Sequence, residues 1–303
     1  MSKFLSILGF VSLGMMLVSC DQKQASEYNP EYSGDPYLAS VEKEYIIGVH
    51  PLHNPKRLHE IFAPIADYLS QNIEGVRFKI EASRNYAAYD KKLYSRKFHF
   101  ALPNPFQTVN SLKHGYNVFA KMSDDNNFRG IFLVRKDSGI TKVSDLKGKA
   151  VSFPAPTALA ATMMPQYYLQ QHGLNVMTDI EIKYVGSQES SIMNVMLGNT
   201  KAGATWPPPW RALSKERPEL AKELTVIWQT PPLPNNSLVV RDDIKQEIVN
   251  KVKQLLLNLY QDKQGKQWLS KMELSKFEEA NNDTYKPVVA FLKRFGKEVR
   301  SIN

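Results

Sequence analysis

The sequence predicts an α/β protein of two lobes, each a mostly parallel sheet flanked by helices. Short apolar runs typical of buried strands alternate with segments whose apolar residues recur at helical spacing. Strands separated by single helices favour parallel pairing with both faces of the sheet covered. A chain of 303 residues with 43% apolar composition is long enough to bury two such cores.

The first α/β unit follows from the alternation of apolar runs with amphipathic segments up to residue 121. Strands are predicted at 45–49, 76–80, 98–102 and 118–121. Helices are predicted between them, at 58–69, 86–93 and 106–112. A long apolar run, 130–135, is predicted to end this unit as a central strand.

A second unit of the same kind begins after residue 136. Its predicted strands are 151–153, 180–184, 202–205 and 224–228, and its predicted helices are 158–171 and 190–197. A further strand is predicted at 237–241, after the segment 229–236. The final third of the chain is predicted to be helical, because Ile244, Ile248, Val252, Leu255 and Leu259 share one helical face.

The amino-terminal segment is typical of an exported protein. Residues 1–19 carry one early lysine and then an apolar stretch that is too short for an ordinary membrane span. Cys20, the only cysteine in the chain, follows Leu17, Val18 and Ser19 at a spacing that resembles the lipobox of bacterial lipoproteins. We therefore expect Cys20 to be lipidated and residues 20–43 to be a flexible tether; the alternative is a stray cysteine after an ordinary signal peptide.

Composition and motifs argue against several other classes of protein. The net charge of +9 comes from lysines scattered among acids, so a solvated basic surface is favoured over a nucleic-acid partner. His50, His53 and His59 lack acidic or cysteine partners at ligand spacing, so no metal site is expected. Without a phosphate loop, a nucleophile elbow or a paired-carboxylate signature, the sequence predicts neither a cofactor nor an enzyme.

The run SFPAPTALAATMMPQYY, residues 152–168, predicts a strand that turns into a helix. Pro154 and Pro156 end the strand, and Thr157 is predicted to be the N-cap of the helix. Free N–H groups in the first turn of a helix attract anions. The segment after residue 205, Trp-Pro-Pro-Pro-Trp, is predicted to be a stiff polyproline stretch that presents the flat apolar faces of two indoles; the alternative is plain packing or a surface turn.

Several stretches resemble the solute-binding proteins of phosphate/phosphite/phosphonate-type ABC importers. They include HNPKRLHEIFAPIADYLS, NYAAYDKKL, FRGIFLVRKDSGITKVSDLKGKAVSF, VGSQESSIMNVMLGNTKAGATW and VIWQTPPLPNNSLVVRDD. The resemblance covers most of residues 45–292 and implies a divergent member with the periplasmic-binding-protein type 2 fold. It also implies chain crossings near 134–139 and 229–236, so that lobe 1 comprises 44–135 and 236–303 and lobe 2 comprises 136–235.

The resemblance also implies where the ligand binds, between the lobes at strand ends and helix starts. The expected lining residues are Tyr86, Asn104, Thr157, Ala158, Leu159, Ala160, Gln188, Trp206 and Asn236. Loops at the carboxyl ends of parallel strands are, independently, where open α/β sheets bind ligands.

Most of the family's ligand residues are replaced by neutral groups. Residues 158–161, Ala-Leu-Ala-Ala, stand where the family has a Ser-Thr-Ser-Gly run, and Gln188 replaces a histidine. Pro103, beside Asn104, replaces a second binding tyrosine, while the acids that pair with a ligand amine fall near Pro209 and on Asn236. The resemblance with these replacements predicts a phosphonate-like anion or a neutral relative as the ligand, and neither an aminophosphonate nor a cation.

The function expected from these observations is that of an extracytoplasmic lipoprotein that hands a small ligand to an ABC permease. It would lie on the periplasmic face of the inner membrane, as Asp21 after the cysteine indicates, or on the cell surface of a Gram-positive host. Two alternatives remain open: a ligand sensor that signals to a receptor or kinase, and an extracytoplasmic enzyme on the same scaffold.

Overall fold

The computed structural model describes residues 43–302 of the chain. The predicted signal segment, Cys20 and all of the tether except Lys43 lie outside these residues. The eleven strands of the described residues are β1 Lys43–Val49, β2 Val76–Glu81, β3 Phe100–Leu102, β4 Tyr116–Met122, β5 Ile131–Arg135, β6 Lys149–Phe153, β7 Ile180–Tyr184, β8 Ala202–Thr205, β9 Leu224–Gln229, β10 Ser237–Arg241 and β11 Phe277–Glu279.

In the described part of the chain, residues 43–302, eleven α-helices lie among these strands, most of them where the apolar periodicity predicts them. They are α1 Pro55–Asn72, α2 Tyr86–Tyr94, α3 Pro105–Ser111, α4 Met164–Gln171, α5 Val176–Asp179, α6 Gln188–Met196, α7 Pro207–Glu216, α8 Pro218–Glu223, α9 Gln246–Asn258, α10 Lys263–Lys271 and α11 Lys286–Glu298. None of the helices within residues 43–302 is long and apolar enough to cross a membrane.

The strands form two separate sheets, which confirms the predicted α/β fold class. The first sheet has the order β11-β4-β10-β3-β1-β2, and the second has the order β7-β6-β8-β5-β9. In each sheet the strand that enters from the other lobe runs antiparallel to its neighbours: β10 against β3 and β4, and β5 against β8 and β9. The strand β1 pairs in parallel with β2 and β3, and β6 pairs in parallel with β7 and β8.

The first chain crossing is not where the resemblance places it. Because β5 pairs within the second sheet, the chain leaves the first lobe between β4 and β5, in residues 123–130, and not at 134–139. The second lobe therefore begins with β5 and not at residue 136. The second crossing, between β9 and β10, lies within the predicted 229–236.

The two crossing segments lie side by side and bond to each other. Gly130 N donates to Thr230 Oγ1 at 2.9 Å, and Thr230 N donates to the Gly130 carbonyl at 2.9 Å. A Cβ on Gly130 would come within 2.6 Å of the Ala160 carbonyl, so a larger residue here would push the crossing away from the second lobe. Asn235 ties the second crossing to the first through its Nδ2, which donates to Ser123 O at 2.7 Å.

Three further local predictions are wrong. The three prolines after Trp206 do not form a polyproline stretch but the first turn of α7. That turn tolerates proline because its N–H groups have no intrahelical acceptor. Thr157 is not an N-cap: the helix starts later, after Ala158, with a π-helical turn at Leu159–Met163. The last third is not wholly helical, since β11 adds an edge strand to the first sheet.

Candidate functional site

A small cavity lies between the two lobes. Its lining residues come from both lobes and the first crossing: His50, Tyr86, Asn104, Phe128, Ala158, Leu159, Ala160, Ala161, Gln188, Trp206 and Asn236. The space open to the centre of a water molecule is about 10 Å³, which is room for about one water. The lobes are therefore tightly closed around this point.

The first lobe contributes polar side chains from strand ends and helix starts. His50 follows β1 directly, Asn104 caps α3 with a complete capping box, and Asn236 precedes β10. Tyr86 is the first residue of α2, whose N-cap Asn85 accepts from Ala88 N at 2.9 Å. All four lining side chains are buried, with no more than 4% of their surface exposed, so the folding of the lobe holds them in place.

The second lobe contributes the start of a helix. The first intrahelical donors, Thr162 N and Met163 N, both bond to the Ala158 carbonyl, at 2.8 and 3.2 Å. The N–H groups of residues 159–161 precede this ladder and have no carbonyl within the helix to bond. Such N–H groups, together with the helix dipole, attract an anion. π-Helical turns of this kind recur at functional sites.

Gln188 joins the two lobes beside the cavity. Its Oε1 accepts a hydrogen bond from Thr205 Oγ1 at 2.8 Å, and its Nε2 faces the hydroxyl oxygen of Tyr86 at 3.5 Å. Burial raises the pKa of Tyr86 well above its usual value. The Tyr86 hydroxyl is therefore protonated, and its O–H is available as a donor to a ligand.

Trp206 closes the cavity from the second lobe. It follows β8 directly and precedes the proline turn of α7, so strand and helix fix its backbone on both sides. Its ring packs edge-to-face on Phe128 of the first crossing, with centroids 5.7 Å apart. The indole thus contacts the first of the two chain crossings that join the lobes.

Of the residues expected to line the cleft, only Thr157 is not at the cavity wall. Its carbonyl accepts a hydrogen bond from Asn104 Nδ2 at 3.1 Å, across the two lobes. Thr157 thus holds the lobes together behind the cavity.

Three lining residues, His50, Phe128 and Ala161, are not among those expected from the sequence. A polar side chain directly after β1 is the signal that could have found His50. His53, three residues further along, is also buried but does not line the cavity.

The cavity wall carries no fixed charge. Burial lowers the pKa of His50 to about 4, despite its hydrogen bond to the Leu102 carbonyl, so the ring is neutral at neutral pH. Asp90, one layer behind the wall, has its pKa raised to about 6 by burial. Within residues 43–302 no group of three or more His, Cys, Asp and Glu side chains could hold a metal ion.

The mouth of the cleft is polar. Asn54 Nδ2 donates to Glu189 Oε1 at 3.2 Å, and Arg57 forms an ion pair with Glu216 from the other lobe. These groups border an outer cavity of about 430 Å³. A larger apolar groove of about 590 Å³, between α4, residues 229–233 and α11, shares no residue with the interlobe cavity.

Comparison with known proteins agrees with this architecture. Residues 47–285 match the family described as the periplasmic phosphonate substrate-binding protein of ABC transporters. The chain is 25% identical over 204 residues to a probable ABC transporter phosphite-binding protein of Prochlorococcus marinus, an alignment that covers 63% of this chain and 67% of that protein.

Two solved structures share the fold. The P. marinus protein in complex with methylphosphonate superposes with a TM-score of 0.78 at 22% identity, covering 84% of this chain and 99% of that one. A binding-protein component of a phosphonate transporter from Pseudomonas aeruginosa gives a TM-score of 0.78 at 19% identity, covering 85% and 88% of the two chains. The family match spans most of the chain, and the chain belongs to the periplasmic substrate-binding proteins of phosphonate-type ABC transporters.

Proposed function

We propose that this protein is the lipid-anchored binding component of an ABC importer and that it closes on a small tetrahedral oxyanion of the phosphite and alkylphosphonate class. One observation carries the proposal: an enclosed cavity has a helix start with free N–H groups on one side and neutral polar side chains on the other. Free N–H groups at a helix start stabilise an anion without a cationic side chain.

The size of the cavity favours the smallest members of this class. Its closed volume admits about one water, so even phosphite or methylphosphonate requires the lobes to stand slightly further apart. Moving the lobes apart breaks contacts between them across the cleft, and a ligand with more atoms requires more of these contacts to be broken. Phosphite and methylphosphonate are therefore favoured over longer alkylphosphonates.

The chemistry of the wall disfavours a ligand that carries an amine. No carboxylate lines the cavity, and an ammonium buried without a paired carboxylate costs several kcal/mol. We expect 2-aminoethylphosphonate to bind at least about 100-fold more weakly than methylphosphonate.

The test is titration calorimetry of the purified chain with phosphite, methylphosphonate and 2-aminoethylphosphonate. The proposal predicts one bound anion per chain for the first two, with an upward shift in melting temperature because the ligand binds only the folded state. Binding of 2-aminoethylphosphonate as tightly as methylphosphonate, or no binding of phosphite and methylphosphonate, contradicts it.

The anchor is a separate part of the proposal and rests on the lipobox-like sequence before Cys20. Cys20→Ala is expected to move the protein from the membrane fraction to the soluble extracytoplasmic fraction with its melting temperature unchanged. Asp21 predicts that the wild-type protein of a Gram-negative host fractionates with the inner membrane. Retention of the Cys20→Ala protein in the membrane contradicts the anchor but not the ligand assignment.

A further inference from the structure

We propose that His50 and Asn236 form a pair of hydrogen-bond acceptors that selects an oxyanion still carrying an O–H proton and rejects sulfonates. This inference rests on the proposed function and specifies its ligand: a singly protonated phosphite or phosphonate monoanion. Both residues line the interlobe cavity and both are buried, with 3% and 1% of their surface exposed.

The first acceptor follows from the hydrogen bonding of His50. Its Nδ1 lies 2.8 Å from the carbonyl oxygen of Leu102, the last residue of β3. Because a carbonyl oxygen can only accept, Nδ1 carries the proton. In a neutral ring the other nitrogen, Nε2, then has a free lone pair, and it can accept a hydrogen bond but cannot donate one.

The surroundings of His50 keep the ring neutral. Desolvation disfavours the imidazolium form. Burial and the charge of Arg57 lower the pKa of the neighbouring His53, so that His53 is also neutral. It therefore supplies no negative charge that could stabilise an imidazolium at His50. The rings of Tyr86 and Tyr89 lie 6.2 and 6.3 Å from that of His50, and burial raises the pKa of both tyrosines. Asp90 on the same helix as the tyrosines accepts a hydrogen bond from Gln107 Nε2 at 2.6 Å.

The second acceptor is the amide oxygen of Asn236. Its Nδ2 faces the sulfur of Met122 at 3.5 Å, and a thioether sulfur can only accept. The oxygen Oδ1 therefore lies on the other side of the amide, and it is buried without a hydrogen-bond partner in the protein. An orphaned acceptor of this kind is costly unless a ligand donates to it.

Two acceptors on one wall impose a chemical requirement on the ligand. A methylphosphonate monoanion has oxygens that accept from the helix-start N–H groups and one O–H that can donate to His50 Nε2 or Asn236 Oδ1. Methanesulfonate has the same charge, nearly the same shape and no proton to donate. It can therefore donate to neither acceptor, and an oxygen that faces one of them places a lone pair against a lone pair, which is the kind of mismatch that binding sites reject strongly.

The experiment compares these two anions on the full-length protein in detergent by titration calorimetry, below the second pKa of methylphosphonate so that both are monoanions. We expect methylphosphonate to bind at least about 100-fold more tightly than methanesulfonate. His50→Leu removes an acceptor and should reduce this ratio at least about tenfold. His50→Gln, which restores a side-chain oxygen, should retain more of the ratio than His50→Leu.

The matched control is His99→Leu. The Nδ1 of His99 accepts from Ile46 N at 3.0 Å, so this histidine is also bonded to backbone through Nδ1, but it does not line the cavity. The control should leave the ratio of the two affinities unchanged.

Each outcome decides the matter. Equal affinity of the wild-type protein for both anions overturns the inference and leaves the proposed function standing. If His50→Leu keeps the wild-type ratio of methylphosphonate to methanesulfonate affinity, His50 has no role in the selection. If that variant does not fold, the ratio measured on the wild-type protein still tests the inference. Failure of phosphite and of both other anions to bind overturns the proposed function and this inference together.

Discussion

The two walls of the cavity differ in kind. The first lobe lines it with four polar residues, His50, Tyr86, Asn104 and Asn236, whereas the second lobe lines it with the helix start at residues 158–161, the indole of Trp206 and a single polar side chain, that of Gln188. Backbone N–H groups stabilise negative charge but cannot distinguish one oxyanion from another. Side chains with defined donors and acceptors can make that distinction. On the proposed function, we therefore expect affinity for an anion to come chiefly from the second lobe and selectivity from the first.

The largest effect is expected from placing a negative charge at the helix start of the second lobe. Ala160→Asp puts a carboxylate beside the free N–H groups, where it competes with the ligand for them and repels it. Binding of phosphite should fall by about three powers of ten or more in calorimetry. Ala160→Asn has nearly the same shape without the charge, so it separates repulsion from crowding against Gly130. Equal losses in both variants would refute an electrostatic role for this wall.

A smaller loss is expected from Tyr86→Phe in the first lobe. The substitution removes the O–H that the buried ring presents to the cavity and frees Gln188 Nε2 from its contact across the cleft. Affinity for phosphite should fall by about tenfold to 100-fold, as for a hydrogen bond to a charged group. Tyr89→Phe is the matched control, because Tyr89 lies on the same helix but does not line the cavity.

The neutral histidines of the first lobe predict a dependence of stability on pH. Burial lowers the folded-state pKa of His50 to about 4 and that of His53 to about 3, from an ordinary value of 6.5. Above pH 6.5 both histidines are neutral in the folded and unfolded states, so neither reduces the free energy of unfolding. Below it the unfolded chain binds protons that the folded protein does not, so stability falls as the pH drops toward 4.

Each histidine should lower the free energy of unfolding by up to about 3 kcal/mol as the pH drops toward 4, since one pKa unit corresponds to about 1.4 kcal/mol. Asp90 acts in the opposite sense, because its pKa is raised to about 6 and the folded protein binds that proton more tightly. The measurement is urea unfolding at about pH 7.5, where both histidines are neutral in either state, and at about pH 4.5, where the unfolded chain binds the extra protons.

The variant His53→Gln should lose less stability between these two pH values than the wild type, because it removes one of the two shifted groups. The exposed His172→Gln is the control and should follow the wild type. A wild-type protein whose stability is unchanged at the lower pH would contradict the predicted sign.

The smallest effect is expected at the mouth of the cleft. The Arg57–Glu216 ion pair joins the lobes, with 24% and 53% of the side-chain surfaces exposed, so its contribution to closure is limited by solvent. Glu216→Gln should weaken phosphite binding by about twofold to fivefold at low ionic strength and by less in high salt. Glu247→Gln removes an ion pair within α9 and serves as the control. A loss at the mouth that salt does not reduce would contradict the electrostatic explanation.

Local sequence patterns predict the elements but not how all of them pair. The apolar run of β5 is equally compatible with either sheet, and only its pairing with β8 and β9 assigns it to the second lobe. For this reason the predicted first crossing lies too late in the chain. The prolines after Trp206 are ambiguous for a similar reason, because the fixed φ of proline suits both a polyproline segment and the first turn of a helix.

The candidate site is predictable only as far as the strand ends and helix starts can be located. Tyr86, Asn104, Gln188 and Asn236 stand at such positions in the sequence, and the structure brings them to one cavity. The prediction for Thr157 fails because a hydroxyl before an alanine-rich run is a good N-cap, whereas the π-helical turn starts the helix after Ala158. The tautomer of His50 is set by a hydrogen bond to a carbonyl 52 residues further along the chain. A local sequence pattern therefore cannot predict it.

The central claim is that the two lobes close on a small oxyanion held between a helix start and neutral side chains. The most direct measurement is a crystal structure of the protein grown with phosphite. We expect one phosphite between the lobes, with oxygens within about 3 Å of the N–H groups of residues 159–161 and of the Tyr86 hydroxyl. Phosphite bound elsewhere, or bound in the cleft only through lysine or arginine side chains, would contradict it.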